Sequence, residues 1–150
     1  MTQIRPEISK KNPLYISKHC FLSAYHFALQ YNDWKRQYAD IIGSAIRAVD
    51  YDDMPHSIGT GDPTSRLAIR SSALSGNIGM IEDIAYKAGG DVWQHLLYAV
   101  THEGITYTYL SMGRCKELGE MRIGRNQYYQ RRRLFYFMLY NRMEEAQVKS

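Results

Sequence analysis

The sequence has no run of about 18 apolar residues, so no membrane-spanning helix and no membrane partner are expected. It has only two cysteines, Cys20 and Cys115, far apart and in no CxxC pair. They are expected to be free thiols in a reducing compartment rather than a disulfide. The first residues, Met1-Thr-Gln-Ile-Arg-Pro-Glu7, lack the apolar stretch of a signal peptide, so the expected location is the cytoplasm. No segment alternates polar and apolar residues for long enough to make a strand, and there is no internal repeat or low-complexity tract. GxGxxG, P-loop, GxSxG and HExxH motifs are all absent, which leaves no ground for an enzyme or a cofactor. Asp50, Asp52 and Asp53 begin like a calcium loop, but the sixth-position Gly and the closing Glu are missing. His95 and His102, with Cys115 beyond, fall short of the four closely spaced ligands of a structural zinc site. No metal is expected.

What the chain does have is 45% hydrophobic residues in 150, enough for one compact core. Those residues recur at helical spacing throughout, and the expected class is all-α. Residues 1–13, with Pro6 and Pro13, read as a mobile lead-in. Ser17 is the expected cap of a helix from Lys18 to about Tyr31 that buries Phe21, Leu22, Tyr25, Ala28 and Leu29. Asn32-Asp33 offers a cap for a second helix carrying Trp34, Tyr38, Ile41, Ile42 and Ala45, weakened by Gly43 near its end. The pair is expected to form an N-terminal helical hairpin over residues 1–50, with Trp34 as its core anchor.

Residues 51–62, acidic and then Gly-rich, read as a linker. Asp62 and Pro63 then make a strong helix start. The helix they open runs to about Ala88 and carries Leu67, Leu74, Ile78, Ile81 and Ala85 as a seam for helix packing. Gly76 and Gly79 are expected to allow close helix approach, and Gly89-Gly90 to stop the helix. Asp91 to Gln94 reads as a loose capping box for a helix over 91–103 that buries Val92, Leu96, Leu97, Ala99 and Val100, with Trp93 near its edge. Thr106 caps a short helix, Tyr107 to Met112, offering Tyr109, Leu110 and Met112 to the core. A long turn over 113–124 leads to a last helix from 125 to about 146.

The net charge of +4 is unevenly placed. Residues 113–150 hold nine Lys and Arg against four acids, a surplus of five, which leaves −1 on residues 1–112. One basic segment on an otherwise near-neutral chain points to a polyanionic partner. The last helix concentrates that charge. Its apolar stripe is Tyr128, Phe135, Met138 and Leu139, with the aliphatic stem of Arg132. Its other side carries Arg125, Asn126, Tyr129, Gln130 and Arg133, groups that can meet base edges in a major groove. Tyr136 is left open as a further contact. Helix, short helix, turn and basic helix follow in the order of a helix-turn-helix. In that arrangement Thr106, Tyr107, Arg114, Lys116, Arg122, Arg131 and Arg132 would contact phosphates. The turn is far longer than the usual three or four residues, so Arg114, Lys116 and Arg122 could make a wing-like contact from it.

Several stretches also resemble a known family. Tyr15-Ile-Ser-Lys18 with Leu29-Gln-Tyr-Asn-Asp-Trp34, Gly61-Asp-Pro-Thr64, Val100-Thr-His-Glu-Gly-Ile-Thr-Tyr107, and Tyr128-Tyr129 with Arg132-Arg-Leu-Phe-Tyr136 are similar to the RinA/ArpU-like regulators of late genes in phages and prophages of Gram-positive bacteria. Residues 63–150 are expected to join the long helix to the helix-turn-helix as a DNA-binding domain, and the resemblance implies an all-helical protein whose C-terminal unit looks like the promoter-reading domain of sigma factors. It implies a role in switching on late or packaging operons. The approach to the last helix, Arg114-Cys-Lys-Glu-Leu-Gly-Glu-Met-Arg-Ile123, departs from the Pro-Cys or Ser-rich approach of the family. The expected partners are double-stranded DNA, host RNA polymerase and a second copy of the chain. The alternative is a small DNA-packaging subunit, or another assembly protein, that uses the same helix-turn-helix.

Overall fold

The computed structural model describes residues 10–49 and 63–148. The linker over 51–62, the cap Asp62, the acidic group Asp50, Asp52 and Asp53, and most of the lead-in lie outside them. All regular structure among the described residues is helical: α1 (Lys18–Leu29), α2 (Tyr31–Val49), α3 (Pro63–Gly89), a 3-10 turn (Gly90–Val92), α4 (Trp93–Val100), α5 (Tyr107–Ser111) and α6 (Arg125–Val148). No helix among them is long and apolar enough to cross a membrane. The described residues up to Gln30 and from Met80 onward form one compact unit, and those of Tyr31–Gly79 form another. The boundary therefore falls between the two helices of the expected hairpin, and α3 runs through both units.

The helix starts follow local chemistry. The Ser17 hydroxyl accepts from the Cys20 amide at 3.3 Å and caps α1. The Thr106 hydroxyl accepts from the Tyr109 amide at 3.1 Å and caps α5. Of the lead-in, residues 10–14 are a turn tied by Asn12, whose side chain takes the Leu14 amide at 2.9 Å and whose carbonyl takes the Tyr15 amide at 3.0 Å. Two expected caps are not used. α2 begins at Tyr31, one residue after α1 ends, so Asn32 lies inside the helix. Asp91 caps nothing: α4 starts at Trp93 without a side-chain cap, and the Asp91 carboxylate turns to Arg131 instead.

The first unit has a close-packed centre. Phe21, Ala24, Tyr25 and Ala28 of α1 are buried, together with Ile81, Ile84, Ala85 and Ala88 of α3, Leu96, Ala99 and Val100 of α4, and Leu110 of α5. Tyr128, Phe135, Tyr136 and Leu139 of α6 complete it. α1 packs on α6 and α4. Phe21 meets Tyr136 edge-on with centroids 4.9 Å apart, and Phe135 meets Tyr136 edge-on at 5.2 Å. Such pairs add about 0.5–1.5 kcal/mol to the burial of the rings. Tyr136, left open above as a contact residue, is thus part of the core. α1 lies over it, and packing between distant helices is not written in the local pattern of α6. Met112, expected in the core, is 59% exposed.

In the second unit Tyr31 and Leu74 are buried, and Arg70 donates to Gln37 at 3.1 Å. Leu67 of the expected seam is exposed. A Cβ at Gly76 or Gly79 would meet nothing within 4 Å, so neither glycine marks a close approach of helices.

The hydroxyls of Tyr128 and Tyr136 are sealed from solvent without a hydrogen-bond partner. Burial pushes the Tyr128 phenol up to about 12. An unfolded tyrosine ionises near 10, so the folded state favours the neutral phenol. That contribution to stability is complete below about pH 10 and is lost as the pH rises through about 12. The expected outcome is alkaline unfolding in that window, followed by circular dichroism, and a shallower fall for Tyr128→Phe. The hydroxyl makes no hydrogen bond of good geometry, although Arg132 lies beside it, so the same variant should keep its neutral-pH stability within about 1 kcal/mol.

Candidate nucleic-acid interface

The turn over 113–124 fixes the start of α6. Two glycines in the left-handed region, Gly113 at φ +70° and Gly119 at φ +73°, let it reverse twice. A Cβ on Gly113 would also stand 2.9 Å from the Glu120 side chain. The turn is packed against its neighbours: Cys115 and Met121 are buried, and the Met121 amide donates to the Leu110 carbonyl at 3.1 Å. His95 of α4 lies 3.1 Å from the Gly119 carbonyl, and the Tyr107 hydroxyl donates to the Ile123 carbonyl at 2.7 Å. Sequence pattern missed Cys115 and Met121 because a turn has no period to read. Arg114, Lys116 and Arg122 ride on this turn, exposed. The wing-like segment is therefore a closed loop with its cations outward.

α6 divides its residues between two sides. In its N-terminal half, Arg125, Asn126 and Gln130 are exposed, and Tyr129 and Arg133 are half-buried. At 3.6 residues per turn these five fall on one side, while Tyr128 and Phe135 point to the core. Beyond Arg133 the side next to this face is covered at Tyr136, where Phe21 of α1 packs. The helix is thus open in its first two to three turns and again from Asn141 onward, with the covered stretch between them.

The remaining arginines differ. Arg131 donates to the Gly89 carbonyl and, at 2.8 Å, to the Asp91 carboxylate. That hydrogen bond holds the Asp91 carboxyl below its ordinary range. Gly90, at φ +58°, makes the bend between α3 and α4 that Arg131 braces, and a Cβ there would stand 3.1 Å from its guanidinium. Arg131, expected on a phosphate, is thus engaged within the protein. Arg131→Ala is expected to lower the melting temperature without changing any salt dependence of DNA binding; calorimetry and binding titrations check the two parts. Arg142 joins Asp83 at 3.0 Å, and Lys87 joins the same carboxylate at 3.0 Å.

Arg132, also expected on a phosphate, is half-buried beside the tyrosines, its guanidinium 5.8 Å from the Tyr136 ring centroid. The Thr106 hydroxyl is occupied as a cap and the Tyr107 hydroxyl by the Ile123 carbonyl, so the first contacts of these two side chains are also internal.

Arg114, Lys116, Arg122, Arg125 and Arg133 make no ion pair among the described residues. Arg114, Lys116, Arg122 and Arg125 are exposed and Arg133 is half-buried, and together they make the basic surface at the start of α6. Gln130, at the edge of the side that carries Arg125, lines an open groove with Gln127, Arg131, Leu134, Leu14 and Ala88. No group of three or more His, Cys, Asp or Glu among the described residues could hold a metal ion. The His102 Nδ1 lies 2.8 Å from the Tyr98 carbonyl. No family model, no curated protein and no solved structure matches the chain.

Proposed function

We propose that this protein binds double-stranded DNA by laying the first turns of α6 in the major groove, and that it does so as a regulator of phage or prophage late genes. One observation carries the DNA reading. Arg125, Asn126 and Gln130 are exposed and Tyr129 and Arg133 half-buried on one side of α6, while Tyr128 of the same turns is buried and ties them to the core. Arg forks to guanine, and Asn or Gln forks to adenine, so this set suits base edges. Arg114, Lys116 and Arg122 on the preceding loop would hold phosphates. Arg132 would reach one only at the edge of the aromatic cluster. The regulatory half of the reading, the membership in the RinA/ArpU-like family and the contact with host RNA polymerase rest on the sequence resemblance.

The test is capture of genomic fragments by the purified protein at several salt concentrations. Enrichment of particular fragments is expected, with affinity falling by about 10²-fold between ~50 and ~200 mM salt if four or so phosphates are contacted. Equal recovery of all fragments, or binding indifferent to salt, would refute the reading. A reporter driven by an enriched promoter then decides whether the protein activates.

A second reading, a small DNA-packaging subunit, is favoured by a different observation. The second unit exposes Ile42, Ile46, Leu67 and Ile69, the last at 69%. Apolar side chains of that kind suit self-assembly. Mass in solution separates the two: a ring of about eight or more copies fits packaging, and a monomer or dimer fits the regulator.

A further inference from the structure

Resting on the DNA-binding reading, we propose that Tyr107 is the residue that sets base specificity through Arg125: its ring holds the Arg125 guanidinium flat, ready to fork onto a guanine. Tyr107 is well placed to act on its neighbours. It opens α5 directly after the cap Thr106, and the helix is pinned by Leu110, which is fully buried. Its hydroxyl donates to the Ile123 carbonyl at 2.7 Å, two residues before α6 begins. Its ring lies 5.9 Å from the ring of Tyr128, the first core residue of α6. One side chain thus joins α5, the end of the turn and the first turn of α6.

Arg125 is the first residue of α6 and is exposed. Its guanidinium carbon lies over the Tyr107 ring, 5.2 Å from the centroid. A free arginine samples many rotamers and must lose that freedom to make a two-bond contact. Stacking on an aromatic face removes part of the freedom in advance. In a flat stack the N–H groups, which lie in the guanidinium plane, would be directed outward past the ring edge. Two parallel donors in one plane match the O6 and N7 acceptors of guanine. A lysine at the same place would keep the charge but not the fork. Tyr107 is therefore a positioning residue, and its ring, rather than its hydroxyl, acts on the base.

The experiment uses the full chain and a pool of randomised duplexes of about 20 base pairs, with selection followed by sequencing. The wild type should enrich sites with one guanine position that Arg125→Lys flattens. Tyr107→Leu, which keeps bulk but removes the π face, should reduce discrimination at that same position about tenfold and leave the other positions unchanged. Tyr107→Phe should keep the guanine preference. A folded Tyr107→Leu that retains the full preference would overturn the proposal, as would a Tyr107→Phe that loses it equally, since the hydroxyl would then be the active part. If Tyr107→Leu does not fold, the wild type answers alone. Stacking requires the Arg125 Hδ resonances to shift upfield in the Tyr107 ring current, and ordinary shifts overturn the proposal. No enrichment by the wild type removes the DNA reading itself, an outcome distinct from enrichment that Tyr107 does not influence.

Discussion

Phe135→Ala is expected to cost the first unit about 3–5 kcal/mol, the range for truncating a buried aromatic. Phe135 is fully buried on the core side of α6, in edge-on contact with Tyr136, and Leu139 follows it one turn later. Removing the ring loses its transfer free energy. It also leaves a hole that the helices around it can only partly close, because they are held by their own buried side chains. Typical domains are stable by about 5–15 kcal/mol, so the variant should be close to unfolding at physiological temperature. Urea denaturation followed by circular dichroism measures the loss. A loss under about 1 kcal/mol would mean that the α6 side chains do not occupy a close-packed core.

The second large effect concerns binding. Arg125→Ala together with Arg133→Ala is expected to weaken DNA binding by about 10²-fold or more, with the melting temperature almost unchanged. Neither side chain makes an ion pair among the described residues. Their removal therefore leaves no buried group without a partner, and substitutions of this kind usually stay within about 0.5 kcal/mol in stability. The contrast is with Arg131, whose guanidinium braces the α3–α4 bend through Gly89 and Asp91. If both effects are present, loss of binding for the pair and loss of stability for Arg131, the basic segment is divided by role. Fluorescence anisotropy on a captured duplex, beside a thermal melt, reads both quantities. Unchanged affinity of the double variant would separate the open face of α6 from any DNA contact.

Much of the fold was legible because its signals are local. Ser17 and Thr106 cap the helices expected of them, Pro63 opens α3, and Gly90, at positive φ, stands directly after its last residue. The stripe of α1 and most of that of α4 could be read from spacing, although Leu22, Leu29 and Leu97 are only half-buried. What escaped depends on distant partners. Asp91 has the form of a cap, but Arg131, forty residues later, takes its carboxylate. Tyr136 looks like a surface tyrosine among arginines until α1 covers it. Ile84 is buried beside Ile81 and Ala85 because the buried side of α3 is broader than a heptad-spaced seam. Cys115 and Met121 are buried from a turn, where there is no period to follow.

The open face of α6 was legible in outline. Arg125, Asn126 and Gln130 are exposed and Tyr129 and Arg133 half-buried, as are their neighbours on α6 other than Tyr128. The phosphate set was harder to read from sequence, because an arginine that will pair internally looks the same as one that will not. Arg114, Lys116 and Arg122 are exposed and unpaired, Arg131 is engaged, and Arg132 lies against the aromatic cluster.

The first turns of α6 are the proposed surface that meets DNA. The most direct measurement is amide chemical-shift mapping of the labelled protein titrated with a duplex recovered from the genomic capture. Large shifts are expected to concentrate on residues 122–133, with the C-terminal turns of α6 and the buried face of α1 little changed. Absence of shifts at saturating duplex, or shifts confined to Tyr31–Gly79, would contradict the proposal.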